Sequence, residues 1–533
     1  IDGNDPIGGT PGDTLNLNSG GAIVTSNIGP ENDEGSFDVA GTETVSYVHI
    51  ESIGVTGTGT GSVILGGTNG DDDITVVGTG VNDFTVSVNG PTAVQYTDFN
   101  SLVINAMSGD DDIDVDVNNL AIGTFTVNGG LPAASGGDLL SVSGTNANFS
   151  PTSDDQASIT VDAQAIAING MELVSLDGEA ADGVLTITTP STDDSIVLTP
   201  GSEVDSGNIQ VTSLLGLHFG NMGDGGSIVI DDTDPVADDT LVYRGTGSDD
   251  TFAVSAAGVL SLNDQITVDV AGDVATLTLD GLDGDDTFAV TAGHGIGTLN
   301  LAGGGPSASD VVNLAGDGTA VAANLSDPSS VTGGGLGTIN LPGIETVNID
   351  AATGDVTANG TTGDDTITYA PTGADAGTIT EDGLNTTLNL SNVGDLAIDA
   401  TTGSDTLEVL GTTAADTFTV GGTAVLHDSL QGVNTISNVG ALAISGGEGA
   451  DTFDVTPGTN AAIFIDGNDP IGGTPGDTLN ININSGGAIV TSNVGPENDE
   501  GSFDVAGTET VSYDHIESIG VTGTGTGSVI LGG

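Results

Sequence analysis

Short runs in which apolar and polar residues alternate follow one another along the chain, as in ATLTL and SIVI. A period of two places every second side chain on one face, which predicts strands with one buried face. Gly- and Asp-rich turns separate the runs, and good helix formers are scarce apart from Leu and Ala. The pattern therefore predicts an all-β protein.

A recurrent motif begins many of these runs: a Gly-containing turn, Asp, often Thr, and then apolar residues at alternate positions. The motif aspartates are Asp72, Asp111, Asp250, Asp286, Asp365, Asp405, Asp416 and Asp451, with looser forms at Asp13, Asp138, Asp239, Asp310 and Asp477. Asp72, Asp250 and Asp416 each begin a series whose next members follow after 39 and 66, 36 and 60, and 35 and 61 residues. Such self-similarity is typical of repeat architectures.

A longer repeat encloses the short one, because residues 1–67 recur almost unchanged at 465–533. The later copy reads LNINI where the first reads LNL, and elsewhere differs only at Ile28/Val494 and Val48/Asp514. An insertion of two residues keeps every side chain of a strand on its original face, so this segment is predicted to be a strand. We interpret the chain as one long repeat unit and the start of the next unit of a tandem array.

We predict a parallel β-solenoid whose coils stack roughly 4.8 Å apart, with the spacings of 35 to 40 residues forming three sides of a triangular coil. A string of β-sandwich modules with hairpins at NG and DG turns is the alternative. The predicted segments are 1–67, the end of a preceding unit; 68–149, a repeat module; 150–238, an irregular insertion; 239–359, a module; 360–404, a half-module; 405–464, a module; and 465–533, its continuation and the start of the next unit.

The charge narrows the range of partners. The chain has 76 Asp and Glu residues against the single cation Arg244, a net charge of −75. Nucleic acids and anionic membranes are bound mainly through Lys and Arg, so both are excluded as direct partners. Without Cys or Lys there is no disulfide, thiolate site or Schiff base. The predicted partners are cations and further copies of the same repeat.

Residues 446–454 read GGEGADTFD and match the pattern GGxGxDxUx, with partial matches at 284–288 and 70–74. They resemble the RTX, or hemolysin-type, calcium-binding repeat, which implies Ca²⁺ held by Gly and Asp in the corners of a β-roll. That family runs its nonapeptide in tandem, whereas these motifs lie 11 to about 40 residues apart. Each Asp is alternatively only a cap for its own turn.

Carboxylates and carbonyl oxygens suit a hard cation, so adjacent carboxylates are the best candidate ligands. The candidate metal-site residues are Asp71, Asp72, Asp73, Asp110, Asp111, Asp112, Asp249, Asp250, Asp283, Asp285, Asp286, Asp364, Asp365, Gly446, Gly447, Gly449 and Asp451. The GPENDEG segments, at Glu31 to Glu34 and Glu497 to Glu500, are a second kind of candidate and equally fit a solvated loop.

The five histidines are scattered, and no GxSxG or HExxH motif accompanies them, so we predict no enzymatic activity. The Gly/Asp turns and near-identical long units are similar to giant repetitive acidic bacterial surface proteins and adhesins. That resemblance implies an extracellular or cell-surface structural protein that forms a fibre, filament or surface array and is stabilised by divalent cations such as Ca²⁺. An adhesin stalk that presents a separate binding domain, and a carbohydrate-active β-helix enzyme, are the alternatives.

Overall fold

The computed structural model describes residues 1–4, 12–31, 33–90, 92–132, 137–190, 193–233, 239–270, 272, 274–305, 309–326, 329–468, 476–483 and 488–532. Within these ranges the chain is built of strands and turns, and no helix capable of spanning a membrane occurs. It divides into two compact units, Ile1–Gly245 with Val259–Leu277 and Thr246–Gly258 with Thr278–Gly533. The all-β prediction is therefore confirmed.

The strands up to the boundary region are β1 (Thr14–Asn18), β2 (Val24–Ile28), β3 (Gly35–Val39), β4 (Val45–Tyr47), β5 (Ser52–Gly66), β6 (Asp73–Gly80), β7 (Asp83–Val88), β8 (Val94–Gly109), β9 (Asp112–Asp116), β10 (Thr124–Pro132), β11 (Leu139–Ser143), β12 (Ala147–Pro151), β13 (Gln156–Val161), β14 (Gln164–Asn169), β15 (Leu173–Asp177), β16 (Val184–Thr189), β17 (Ser195–Pro200), β18 (Gly207–Val211), β19 (Leu217–Gly220), β20 (Ser227–Asp232), β21 (Asp239–Arg244), β22 (Thr251–Val254), β23 (Val259–Leu262), β24 (Thr267–Asp269) and β25 (Val274–Asp280). Of these, β22 belongs to the second unit and β25 crosses the boundary.

The second unit continues with β26 (Thr287–Thr291), β27 (Thr298–Ala302), β28 (Val311–Ala315), β29 (Val321–Asn324), β30 (Ser329–Gly333), β31 (Thr338–Leu341), β32 (Thr346–Asp350), β33 (Val356–Asn359), β34 (Thr366–Gly373), β35 (Ala376–Glu381), β36 (Thr387–Ser391), β37 (Leu396–Asp399), β38 (Thr406–Leu410), β39 (Thr417–Gly421), β40 (Ala424–His427), β41 (Thr435–Ser437), β42 (Ala441–Ser445), β43 (Thr452–Thr456), β44 (Ala462–Asp466), β45 (Thr478–Ile483), β46 (Ile489–Val494), β47 (Gly501–Val505), β48 (Val511–Asp514), β49 (Ser518–Gly523) and β50 (Ser528–Leu531).

In the first unit, successive coils stack their strands in parallel and in register. The strands β6, β9, β11, β15 and β19 pair in that order, which aligns Ile74, Ile113, Leu140, Val174 and Leu217 in one column. All five side chains are fully buried. Each coil therefore covers the apolar face of the preceding one, as the solenoid prediction requires.

The second unit repeats this construction. Its strands β22, β26, β28 and β32 pair in parallel and align Phe252, Phe288, Val312 and Val347. The rings of Phe252 and Phe288 stack at 5.2 Å with an interplanar angle of 4°. The parallel β-solenoid is thus the observed architecture of each unit, and the sandwich alternative is not.

The long coils contain antiparallel strand pairs, which the prediction of three sides of a triangular coil did not include. In the coil between Asp72 and Asp111, β7 pairs antiparallel with both β6 and β8. Only two residues separate β6 from β7, and a connection that short joins antiparallel strands but cannot make the crossover that parallel strands need. In the second unit, β35 is likewise antiparallel to β34 and β36.

Polar side chains also stack from coil to coil. In the first unit, Asn128 donates through Nδ2 to Oδ1 of Asn105 over 2.8 Å, and Asn169 donates to Asn128 over 3.0 Å. In the second, Asn348 and Asn389 continue a series from Asn313 with two bonds of 2.9 Å. The repeat is therefore preserved in hydrogen-bonding side chains as well as in apolar ones.

Candidate functional site: the aspartate corners

The motif aspartates lie in the Gly/Asp turns, which we call corners, immediately before the strands of the parallel columns. Asp111 and Asp286 are fully buried, and Asp72 and Asp250 are 2% exposed. A glycine lies against the carboxylates of Asp72 and Asp286, because a Cβ atom at Gly67 or at Gly281 would overlap the Oδ2 atom of the respective aspartate. The glycines of the motif therefore make room for an inward-facing carboxylate.

Each buried corner aspartate holds the corner of the neighbouring coil. The backbone N–H of Asp72 donates to Oδ1 of Asp111 over 2.7 Å, and the N–H of Asp111 donates to Oδ1 of Asp138 over 2.9 Å. We call this bond the inner staple and a series of such aspartates a ladder. The motif spacings found in the sequence are therefore the distances along the chain between successive members of a ladder.

The second unit contains three further ladders with the same geometry. Their inner staples join Asp250 to Asp286 and Asp286 to Asp310 (2.8 and 2.7 Å), Asp365 to Asp405 (2.9 Å), and Asp416 to Asp451 and Asp451 to Asp477 (both 2.7 Å). A hydrogen bond to a charged acceptor contributes about 1.5–3 kcal/mol in proteins.

Where two acidic residues are adjacent, the outer one forms a second bond in the opposite direction. The N–H of Asp110 donates to Oδ1 of Asp71 over 3.0 Å. The coil whose Asp111 accepts a hydrogen bond from Asp72 therefore also donates one back to the same neighbouring coil. We call this bond the outer staple. It recurs from Asp285 to Asp249 (3.0 Å) and from Ser404 to Asp364 (2.8 Å).

Each of these four ladders begins at a threonine four residues before its first aspartate. The N–H groups of Thr68, Thr246, Thr361 and Thr412 donate to Oδ2 of Asp72, Asp250, Asp365 and Asp416 over 2.6, 2.6, 2.7 and 2.6 Å. The expectation that each Asp caps its own turn therefore holds for the first member of a ladder.

Three ladders end at a glutamate that sequence reasoning missed. Glu172, Glu345 and Glu517 accept the N–H groups of Asp138, Asp310 and Asp477 through Oε2 over 2.7, 2.8 and 2.6 Å. Glu51 accepts the N–H of Asp13 in the same way over 2.6 Å. The signal was present, because each Glu follows an apolar residue directly before a strand, in MELVSL, IETVNI and IESIGV.

Burial makes four aspartates of the ladders weaker acids than an exposed aspartate. It raises the pKa of Asp111 and of Asp286 to about 6, and the neighbouring carboxylates add to the shift. Burial also raises the pKa of Asp138 and Asp310. The Oδ2 atoms of Asp111, Asp138, Asp286, Asp310 and Asp405 are buried and have no hydrogen-bond partner among the residues described. An ionised carboxylate with one bare buried oxygen is unfavourable, which is why the pKa values of Asp111, Asp138, Asp286 and Asp310 are raised.

A further side chain covers the first aspartate of three ladders. Asn89 donates through Nδ2 to Oδ1 of Asp72 over 2.5 Å. His427 places Nε2 3.0 Å from Oδ1 of Asp416, while its Nδ1 accepts the N–H groups of Ser429 and Leu430. Nδ1 also lies 3.2 Å from Oδ1 of the exposed Asp428, and an N–H on Nε2 would face Asp416.

At the third of these corners the covering residue is Glu381, which is 7% exposed and faces Asp365. Burial, with Asp365 and then Asp405 as the carboxylates facing it, raises the pKa of Glu381 to about 7. Unlike Asn89 or His427, a glutamate can donate to the aspartate only when it carries a proton. Of the three covering side chains, Glu381 alone loses its hydrogen-bond donor when it ionises.

The predicted calcium ligands meet in pairs. Inner staples join Asp72 to Asp111, Asp250 to Asp286 and Asp365 to Asp405, and Asp451 lies between Asp416 and Asp477. Outer staples join Asp110 to Asp71, Asp285 to Asp249 and Ser404 to Asp364. Asp73 pairs with Asp112 across β6 and β9, and Asp283 lies exposed in its turn. In the described part of the chain, no three His, Cys, Asp or Glu side chains form a group that could hold a metal. Ca²⁺ takes six to eight oxygen ligands, which include carbonyl oxygens, and its binding at these corners stays a prediction.

The glycines of the RTX-like segment have a packing role. Gly447 and Gly449 have φ angles of 90° and 139°, and a Cβ atom on either would overlap the backbone of Thr412 or Ala414 in the preceding coil. Gly446 leaves space for the carboxylate of Asp451. The GPENDEG loops close on themselves, since Glu34 accepts the N–H of Glu31 through Oε1 over 2.9 Å and Glu500 does the same for Glu497 over 2.6 Å.

No protein-family model matches this chain, and no curated protein is significantly similar to it. What the corners do is therefore argued from their geometry.

Proposed function

We propose that this chain is a non-catalytic, extracellular structural repeat protein that forms a fibre, filament or surface array. The proposal rests on where the aspartates of the Gly/Asp motif lie and what they bond to. Its aspartates are turned inward and bonded to the next coil, as in the staples of Asp71 and Asp72 with Asp110 and Asp111. Acidic residues that bind a substrate would face solvent in a cleft, whereas these stabilise the stacking itself.

His427, the histidine whose contact with a carboxylate most resembles a general base, supports the same proposal. The side chain of His427 is 2% exposed, and both of its ring nitrogens are engaged by Asp416, Ser429 and Leu430. A general base must reach a substrate proton, and this one is closed off by the corner that it covers.

The proposal includes stabilisation by divalent cations such as Ca²⁺, acting on the outward carboxylates as screening ions. Asp73, Asp112, Asp249 and Asp283 are exposed, and the net charge of −75 has almost no internal compensation. Mobile ions gather around such a surface and reduce its self-repulsion.

Melting of the full chain in 10 mM EDTA, in CaCl₂ and in NaCl of equal ionic strength tests the role of cations. We expect the melting temperature to rise with either salt and more with Ca²⁺. Equal melting temperatures in all three solutions would refute the cation part of the proposal.

Antibodies against the folded chain test the location and assembly. We expect them to label intact, unpermeabilised source cells and to decorate fibres or a continuous layer in electron micrographs. Labelling that requires permeabilisation would contradict the proposal.

A further inference from the structure

A small cavity lies in the first unit between two successive coils, one containing β2 and β5 and the next containing β7 and β8. Its volume is about 40 Å³, and Ile28, Leu65, Val86 and Val94 form apolar parts of its wall. A cavity of this size has room for about three groups as large as a water molecule. It is therefore large enough for a very small organic molecule.

Two polar side chains line this cavity from positions that the alternation of their strands turns inward. Ser26 follows the buried Val24 by two positions in β2 and is itself 5% exposed. Tyr96 of β8 is fully buried, and its hydroxyl group has no hydrogen-bond partner of normal geometry among the described residues, although Ser26 lines the same cavity. Burial raises the pKa of Tyr96, an effect that the nearby Ser26 hydroxyl partly offsets, so the phenol keeps its proton at neutral pH. A buried hydroxyl without a partner is unfavourable, and a polar ligand atom in the cavity would supply that partner.

The walls of the cavity are held in place by aromatic stacking. The chain has only 12 Phe and 5 Tyr residues, and two stacked pairs of them lie here. Tyr47, which also lines the cavity, stacks on Phe37 at 5.4 Å, and Tyr96 stacks on Phe84 at 5.3 Å. Because such pairs fix both tyrosine rings, the cavity is already formed before a ligand enters, as is usual for small-molecule sites.

The charge beside the cavity is negative. Of the described residues that line it, Glu34 alone carries a charge. Its carboxylate is fixed by its own loop, since Oε1 accepts the N–H of Glu31 over 2.9 Å. A carboxylate held beside an apolar cavity with aromatic walls favours a cationic ligand over a neutral or anionic one.

We propose that this cavity binds a small hydroxyalkylammonium ion of the size of protonated ethanolamine. The ammonium group would bond to the carboxylate of Glu34, the carbon atoms would lie against the apolar wall, and the hydroxyl group would pair with that of Tyr96. This site goes beyond the proposed structural function and does not depend on it. A ligand with so few atoms binds weakly, so we expect a dissociation constant of about 1 mM.

NMR titration of the full chain with ethanolamine hydrochloride tests the site. The five tyrosines and the lack of tryptophan make a chain labelled with ¹³C in its tyrosine rings simple to observe. The titration is done in high salt, which screens the general attraction of cations to the acidic surface. We expect the signals of Tyr96 and Tyr47 to shift until they saturate, with nuclear Overhauser effects from the ligand methylene protons to the ring of Tyr96.

Two variants separate the contributions of the polar groups. Glu34→Gln should weaken binding at least about 10-fold, because it removes a charged acceptor. Tyr96→Phe keeps the stacked ring and should weaken binding about 3- to 10-fold, with Tyr47 as the reporter. Glu500→Gln is the matched control, since it removes the same carboxylate from the second copy of the loop, and it should leave the dissociation constant unchanged.

Two related probes test which groups of the ligand are recognised. Ethylammonium lacks the hydroxyl group, so it should bind the unmodified chain weakly and lose nothing further in Tyr96→Phe. Ethanol lacks the charge and should give no saturable shift.

Four results would overturn the proposal or one of its parts. If the Tyr96 signal does not shift to saturation with ethanolamine, the cavity holds at most water and the site does not exist. An equal loss in Glu34→Gln and Glu500→Gln would show general attraction to the acidic surface instead of a site. Unchanged affinity in Tyr96→Phe would overturn the role of its hydroxyl group, and saturable binding of ethanol would overturn the choice of a cation.

Discussion

The corners at Asp365 and Asp416 lie in the same unit and share most of their construction. Both begin at a threonine four residues earlier, and both aspartates donate their N–H to the next member of the ladder. They differ in the covering side chain, which is Glu381 at one corner and His427 at the other. An imidazole carries an N–H donor in both its neutral and its cationic form, whereas Glu381 can donate only when it is protonated. Two corners of one architecture therefore differ in their dependence on pH.

The largest effect is expected from acidification of the unmodified chain. The pKa values of Asp111 and Asp286 are raised to about 6 and that of Glu381 to about 7, so the folded state binds more protons than the unfolded state below these values. This contribution is complete below about pH 4 and is lost as the pH rises through 6 to 7. It amounts to as much as about 3 kcal/mol for each group.

Urea denaturation between pH 4.5 and pH 8.5 measures this dependence, and we expect the free energy of unfolding to rise as the pH falls. High salt serves as the control, because it screens the repulsion between exposed carboxylates but screens the buried carboxyl groups much less. If the free energy of unfolding in high salt did not change with pH, the pH dependence could not be assigned to the buried carboxyl groups.

Converting one corner into the other gives the next largest effect. His427→Glu places a second carboxylate against Asp416, so we expect a loss of about 3–5 kcal/mol at pH 8, the usual consequence of an uncompensated buried charge. Much of the loss should be recovered at pH 5. His427→Gln keeps an N–H donor and serves as the control, with a smaller loss that does not vary with pH.

Replacing Glu381 by a neutral donor should remove the pH dependence of the Asp365 corner. Glu381→Gln provides an amide that donates to Asp365 at every pH, so we expect a gain of about 1–2 kcal/mol at pH 8 and almost none at pH 5. Comparison of the two unfolding free energies at these pH values checks the prediction. A variant that is destabilised equally at both would show that Glu381 only fills space.

The smallest expected effect concerns the outer staple, which the Asp416 corner lacks because Ala415 precedes it. Ala415→Asp should let a carboxylate accept the N–H of Ala450, as Asp249 accepts that of Asp285, and raise stability by about 1 kcal/mol. Asp249→Ala should lower it by a similar amount. Opposite shifts in the midpoint of urea denaturation confirm the prediction, while a loss in both variants would contradict it.

Much of this construction was predictable. The spacing of Asp72, Asp111 and Asp138 located three members of a ladder, and the two-residue insertion correctly located a strand, since Leu15 and Leu479 both face the core. The reversed strand β7 was missed, because alternation of apolar residues is the same in parallel and antiparallel strands.

The bonding partners of the aspartates were less predictable. Turn-forming Asp residues have the same sequence signature whether they cap their own turn, bind a cation or bond to another coil. Only the stacking of coils decides that Oδ1 of Asp111 meets the N–H of Asp72. Glu381 gave no signal, since a buried glutamate in β35 occupies a position that alternation alone would assign to an apolar residue.

The threonine at the start of a ladder and the glutamate at its end supply the terminal hydrogen bonds of the ladder. A ladder of inner aspartates can be lengthened in principle by inserting whole coils between these two residues, without redesigning either terminus. The ladder from Asp365 to Asp405 has two aspartates, whereas the ladder from Asp416 to Asp477 has three and ends at Glu517. The protein is therefore a natural source of interchangeable parts for assembling repeat scaffolds of chosen length.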